Sequence, residues 1–363
     1  MPRKPAPQPA KILLCSWAFS PSIGGIETSS QFLAERMHLH GIHVEVVTQT
    51  PAASPDQTFP FPVHRRPSRG QLLALVRSAD LVYQNNISLN TLWPLLLAPR
   101  PLIVANHTPI DATVERSPLK RWTKLLAMRS ATCVSCSQFL ADTFPVPSCV
   151  IPNPYRSHIF GPAQPLVPRS REFIFVGRLA KAKGLDILLH ALAMLRRQSL
   201  TPSLTVIGGG GEEQPLRALT AELQLTHQVT FLGPLPPEQI ARQLQQHRFF
   251  VAPSRRQPAE AFGIVALEAI ACGAVPIVAD QCGLPEAVGP CGLTFATEDS
   301  TALAATLARS LAAPGLESTL RSHATTHLSR FEEATVFQQH LQLVQQALPQ
   351  FPILPNALVE IQP

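Results

Sequence analysis

Charge is scarce in this chain. Asp, Glu, Lys and Arg together make up 15% of its 363 residues, against about 25% in an ordinary soluble domain. Long apolar runs are missing too. None approaches the ~18 residues that a membrane-spanning helix requires, and the most apolar patch, residues 92–98, is interrupted by Pro94. Residues 1–10 are rich in proline and lack the hydrophobic core of a secretion signal. They read as a disordered lead, and the chain is expected in the cytoplasm, free or peripheral at the inner face of the membrane. The seven cysteines are odd in number and scattered, which leaves no disulfide framework. Cys133 and Cys136 form the one close pair, and no second pair completes a zinc site; both read as buried reduced thiols. His323 and His327 share a helix face without a third ligand, so a solvated face is expected. Net charge is +6, but the basic residues are spread out without interleaved aromatics. No nucleic-acid-binding signature is present, and nucleic acid is set aside as a partner. Asp-x-Asp is absent, and no metal site is expected.

What the chain does have is alternation. Apolar strand-like runs fall at residues 12–19, 44–48, 81–84, 102–105, 132–135 and 149–151. A second set falls at 173–176, 204–207, 229–232, 249–252, 276–279 and 293–295. Most are continuous rather than alternating, as parallel strands buried on both faces require. Helical patterns lie between them, at 25–40, 184–197, 212–223, 237–246 and 301–311 among others. The fold class is therefore α/β, with two doubly wound, Rossmann-like domains. The expected division is a lead at 1–10, a first domain at 11–160, a Pro-rich linker at 161–171 and a second domain at 172–330. A helix at 331–349, which can cross back to the first domain, and a Pro-rich tail at 350–363 follow.

Residues 260–268 carry the most information. Glu260 falls in a loop after the strand-like run ending near Pro253, and a helix is expected over 262–272, closed by Gly273. Glu268 then lies about two turns inside that helix. The amides of Phe262, Gly263 and Ile264 point from the helix mouth at anything anionic. One carboxylate suits sugar hydroxyls, the other a ribose diol, and a diphosphate fits between them. The pattern reads as a nucleotide-sugar site. Gly177-Arg178, Gly208, Ser254 and Asp280 each follow a strand's carboxyl end, as do Gly24-Gly25 and His107 in the first half. That edge is where open α/β sheets bind ligands.

The segments Pro21–Glu27, Val150–Pro154, Gly177-Arg178 with Lys183-Gly184, the glycine run at 208–211, and Glu260 spaced from Glu268 before Ala271-Cys272-Gly273 stand in a specific order. In that order they resemble the retaining glycosyltransferases of the GT-B fold, glycosyltransferase family 4 (group 1). The resemblance spans about residues 11–348. It implies two domains facing across a cleft and transfer of a hexose from a UDP- or GDP-sugar to a hydroxyl of a saccharide or lipid-linked acceptor. The product class would be polysaccharide, lipopolysaccharide or glycolipid, made without a cofactor or a metal. Arg178 and Lys183 would clamp the diphosphate, Glu260 would hold donor-sugar hydroxyls, and Glu268 would bind the ribose. His107 would act near the sugar. Gly24, Gly25, Gly177 and Gly208 would let backbone approach the donor, beside Phe262, Gly263 and Ile264. The chain departs from the family at Cys282-Gly283, where two glycines are usual, at Asn153-Pro154, where Asn-Gly is usual, and at Glu260-Ala261. A catalytically silent nucleotide-sugar-binding protein and a UDP-sugar 2-epimerase are the alternatives. Residues 119–129 read first as a helix packed on its sheet with basic residues outward, and second as a basic interfacial helix making peripheral membrane contact.

Overall fold

The computed structural model describes residues 9–22, 24–52, 58–110, 115–163 and 169–351. The expected lead up to residue 8, the linker prolines at 165 and 168, and the tail from 352 lie outside the described residues. The chain divides into two units. One joins residues 1–151 with 336–363, and the other is residues 152–335.

The first unit is built on seven parallel strands: β1 (Lys11–Ser16), β2 (His43–Thr48), β3 (Val63–Arg65), β4 (Leu81–Asn85), β5 (Leu102–Asn106), β6 (Thr132–Ser135) and β7 (Ser148–Val150). Their spatial order is β3-β2-β1-β4-β5-β6-β7. β4 and β5 are buried at every position, which is why they read as unbroken apolar runs. β3 was not expected. Its sequence Val-His-Arg is partly exposed at the sheet edge, and three half-polar residues give no periodicity to read. The core joins Ile12, Leu14, Phe32, Leu33, Tyr83 and Ile103 to residues from the far end of the chain. The helix Glu333–Ala347 buries Val336, Phe337, His340, Leu341, Leu343 and Val344. Phe337 meets Phe32 edge-on at 6.4 Å, and His340 Nδ1 lies 2.8 Å from the Tyr83 hydroxyl.

The second unit has six parallel strands: β8 (Arg171–Val176), β9 (Leu204–Ile207), β10 (Val229–Gly233), β11 (His247–Ala252), β12 (Val275–Ala279) and β13 (Leu293–Phe295). Their order is β10-β9-β8-β11-β12-β13. Both sheets thus reverse their strand order beside their first strand, between β1 and β4 and between β8 and β11. Those are the topological switch points at which such sheets open a crevice.

Two local expectations are corrected. The helix expected from 262 runs Ile264–Ala271, because Gly263 adopts φ 91° and ψ 59°, a left-handed conformation that no helical residue shares. His327 is buried and bonds the Ala287 carbonyl at 2.8 Å, so only His323 keeps the solvated position expected of both.

Candidate functional site

In the second unit the switch point gathers a compact charged cluster. Arg178 follows β8 directly. Lys183 sits in the short turn Lys181–Lys183, Ser254 lies two residues beyond β11, and Glu260 ends the loop that follows. Lys183 Nζ reaches Glu260 Oε1 at 2.6 Å, and the Ser254 hydroxyl donates to Glu260 Oε2. Burial alone would raise the Glu260 carboxyl. The charge and hydrogen bond of Lys183, the Ser254 hydroxyl and the charge of Arg178 outweigh it and hold the group below the ordinary carboxylate range. Glu260 is therefore an anion at neutral pH, and each of its oxygens keeps a lone pair for a further donor. The loop is braced from behind. Arg255 pairs with Asp186, and Gln281 Nε2 bonds the carbonyls of Ser254 at 2.6 Å and Arg255 at 2.8 Å. Gly177 and Gly208 end neighbouring strands so closely that a Cβ on Gly208 would fall 1.9 Å from the Gly177 carbonyl oxygen. Cys282, standing where the resembling family has glycine, takes φ 53°, and its thiol meets Gln281 Oε1 at 3.3 Å.

Glu268 has different company. It is 6% exposed in the largely buried helix Ile264–Ala271. Arg156 Nη2 reaches its Oε1 at 3.2 Å while the guanidinium lies over the Phe160 ring, 5.2 Å from its centroid. Burial pushes the Glu268 carboxyl up to about 7, and Arg156 opposes the rise without cancelling it. Arg156 escaped the sequence reading. It stands 112 residues from Glu268, and its only local signal is its place two residues after Pro154. Phe262 is buried against Phe331, ring centroids 5.7 Å apart, and Gly263 caps the helix that Ile264 begins.

In the first unit, His107 follows β5. Its Nε2 lies 2.7 Å from Asn85 Oδ1. The Asn85 amide is already committed, donating to Ser30 Oγ at 2.6 Å, so Nε2 carries the proton and donates. That leaves Nδ1 as a lone pair, enclosed and without a hydrogen bond among the described residues. Burial lowers the imidazole to about 4, so His107 is a neutral acceptor at physiological pH. Asn86 Oδ1 accepts from the His107 amide at 3.3 Å and the Thr108 hydroxyl at 3.1 Å. Gly24 and Gly25 open the helix Gly25–Leu39, and the Glu27 carboxylate folds back over them: a Cβ on Gly24 would meet Glu27 Oε2 at 2.5 Å. A negative charge from the chain itself therefore sits at that helix mouth.

The helix Pro118–Arg129 buries Met128 alone. Leu119 is 69% exposed, Trp122 61% and Leu126 47%. The expected packing of the apolar stripe on the sheet is overturned, because the stripe faces outward. Among the described residues no group of three or more His, Cys, Asp or Glu is placed to hold a metal ion.

Comparison with solved structures decides the architecture. The chain superposes on sucrose-phosphate synthase from Thermosynechococcus elongatus with a TM-score of 0.74 at 22% identity, covering 94% of this chain and 100% of the other. Anabaena Alr3699/HepE in complex with UDP gives a TM-score of 0.76 at 23% identity, with 93% and 100% covered. The fold is GT-B. Residues 162–327 of this GT-B chain match the family described as Glycosyl transferases group 1. The D-inositol 3-phosphate glycosyltransferase of Corynebacterium jeikeium is 35% identical over 173 residues, covering 45% of this chain and 40% of the relative. That of Frankia alni is 36% identical over 191 residues, covering 47% and 46%. The chain thus spans less than half the length of these curated relatives.

Proposed function

We propose that this protein is a retaining hexosyltransferase of glycosyltransferase family 4. It moves a hexose from a UDP- or GDP-sugar to a hydroxyl of a saccharide or lipid-linked acceptor in polysaccharide, lipopolysaccharide or glycolipid synthesis. The observation that carries the reading is the Lys183–Glu260–Ser254 cluster with Arg178 beside it, at the β8/β11 switch point. The matched group 1 region contains it, and one structural neighbour is described with UDP bound.

As the bond from the sugar to the diphosphate breaks, negative charge grows on the leaving phosphate. Arg178 and Lys183 are fixed cations that favour that state over the ground state. Glu260 orients Lys183 and accepts donor-sugar hydroxyls with its remaining lone pairs. Its carboxylate is engaged on both oxygens, which suits binding better than nucleophilic attack, and the reading is front-face transfer without an enzyme nucleophile. Glu268 accepts from the ribose diol once Arg156 releases it, and Gly177 and Gly208 let the donor approach the backbone. His107 offers Nδ1 to a hydroxyl near the reacting carbon. No metal is required, since the two cations stand where a metal would. The outward ridge of Leu119, Trp122 and Leu126, flanked by Lys120, Lys124 and Arg129, suits peripheral contact with an anionic membrane face. The second reading, a nucleotide-sugar-binding protein without turnover, draws on the Arg156 guanidinium that engages Glu268.

Donor hydrolysis and transfer, followed by released nucleoside diphosphate, separate the two. Lys183→Ala is expected to lower kcat by about 10²–10³-fold with the melting temperature little changed. Absence of turnover with every UDP- and GDP-hexose, despite nucleotide-dependent thermal shifts, would select the silent binder.

A further inference from the structure

The first unit contains a cavity of about 440 Å³ that the roles above do not use. It opens at the β1/β4 switch point. Trp17 and Ala18, just after β1, form one side, and residues 86–90, just after β4, form another. Ile26 from the helix after the glycine loop and Lys120 and Lys124 from the helix Pro118–Arg129 complete it. Asn86 links the cavity to His107, since its Oδ1 accepts from the His107 amide while the residue itself lines the wall.

The lining has a definite chemistry. Trp17 is 53% exposed, an indole left in water at the rim of a polar crevice. Such a ring offers an apolar face on which the C–H face of a pyranose can lie. Lys124 is paired with Glu115 at 3.2 Å. Lys120 makes no ion pair among the described residues. On a helix Lys120 and Lys124 share a face, which they turn toward the cavity, while Leu119, Trp122 and Leu126 point outward. The cavity therefore carries a surplus of one positive charge next to an aromatic platform.

We infer that this cavity is the acceptor subsite and that it selects an acceptor saccharide bearing a phosphate: the sugar ring stacks on Trp17, and the phosphate binds Lys120. The inference rests on the glycosyltransferase reading for what happens to the acceptor, but the binding itself does not depend on turnover. A phosphate that is part of a free sugar phosphate and one that joins a saccharide to a lipid present the same anion to Lys120.

The test is a binding and kinetic comparison on the intact chain. Hexose 6-phosphates and the matching neutral hexoses are titrated calorimetrically against wild type, Lys120→Ala and Trp17→Ala. The same sugars, and a polyprenyl-diphosphate-linked hexose in phosphatidylcholine vesicles, serve as acceptors. Lys120→Ala is expected to weaken the phosphorylated sugars by about ten- to hundredfold, the range of a charge-assisted bond. It leaves neutral hexoses and the KM for donor unchanged. Trp17→Ala weakens both classes. Preference for the vesicle-borne or for the free sugar names the source of the phosphate. Equal binding of phosphorylated and neutral sugars, or a Lys120→Ala variant indistinguishable from wild type, overturns the inference. Loss of all donor hydrolysis and transfer with phosphate-selective binding intact would instead overturn the catalytic reading alone. Both side chains are at the surface, so a wild-type melting temperature confirms that each variant is folded.

Discussion

Glu268 and Glu260 are eight positions apart in sequence and opposite in acid–base character. Glu260 is held below the usual carboxylate range by Lys183, Ser254 and Arg178, whereas burial lifts Glu268 to about 7. A carboxyl whose folded value lies above its unfolded one, near 4.3, favours folding fully below that unfolded value. The contribution is lost as pH rises through about 7. Glu268→Gln is therefore expected to match wild type in melting temperature at pH 5 and to exceed it at pH 8. Nucleotide affinity should fall at pH 8, where the wild-type carboxylate is ionised. A thermal-shift series across pH 5–8, with and without UDP and GDP, measures both; a variant less stable than wild type at pH 8 would mean that the Arg156 pair outweighs burial. The charge of Glu260 is also why its loop resists rearrangement: removing the anion would strand Lys183 and the Ser254 hydroxyl together.

At the scale of elements, the helix Pro118–Arg129 shows what a sequence can and cannot say. Its spacing places Leu119, Trp122 and Leu126 on one face, and the structure keeps them there. Which way that face points depends on the neighbours, and it points to solvent. Exchanging the ridge for serine, as Leu119→Ser, Trp122→Ser and Leu126→Ser together, removes exposed apolar surface and no core contact. The variant is expected to keep its melting temperature and to lose most of its sedimentation with anionic phosphatidylglycerol vesicles; undiminished sedimentation would dismiss the ridge as a membrane contact. The same limit runs through the rest of the chain. The buried parallel strands were legible because both faces demand apolar residues. β3 was not, since an edge strand of three residues makes no such demand. Each member of the Lys183–Glu260 pair was legible as a motif residue, but the contact spans 77 positions and follows only from the strand order. Arg156 was illegible for the same reason, with no local pattern to mark it. The two-residue error at the start of the helix Ile264–Ala271 came from Gly263, whose backbone conformation the sequence permits without requiring.

For the molecule as a whole, three buried histidines set the response to acid. Burial lowers His107 and His247 to about 4 and His340 to about 3. His107 and His340 belong to the first unit and His247 to the second. Each folded value lies below the unfolded ~6.5, so the unfolded chain takes up protons first. Stability is present above pH 6.5 and drains away as pH falls toward 4. Urea midpoints are expected to decline steadily across that window. His340→Gln, which keeps a group able to meet the Tyr83 hydroxyl, is expected to flatten the decline; an unchanged slope would remove His340 from the account. The helix Glu333–Ala347 has a further consequence. It supplies Val336, Phe337 and Leu341 to a core whose strands are all in place by residue 150. During synthesis the ribosome delivers every strand of the first unit long before it delivers that helix. The second unit, a continuous stretch from 152 to 335, emerges whole in between. The later-made unit can therefore mature first, while the earlier one waits with an apolar face uncovered, a nascent surface on which a chaperone would be expected to act.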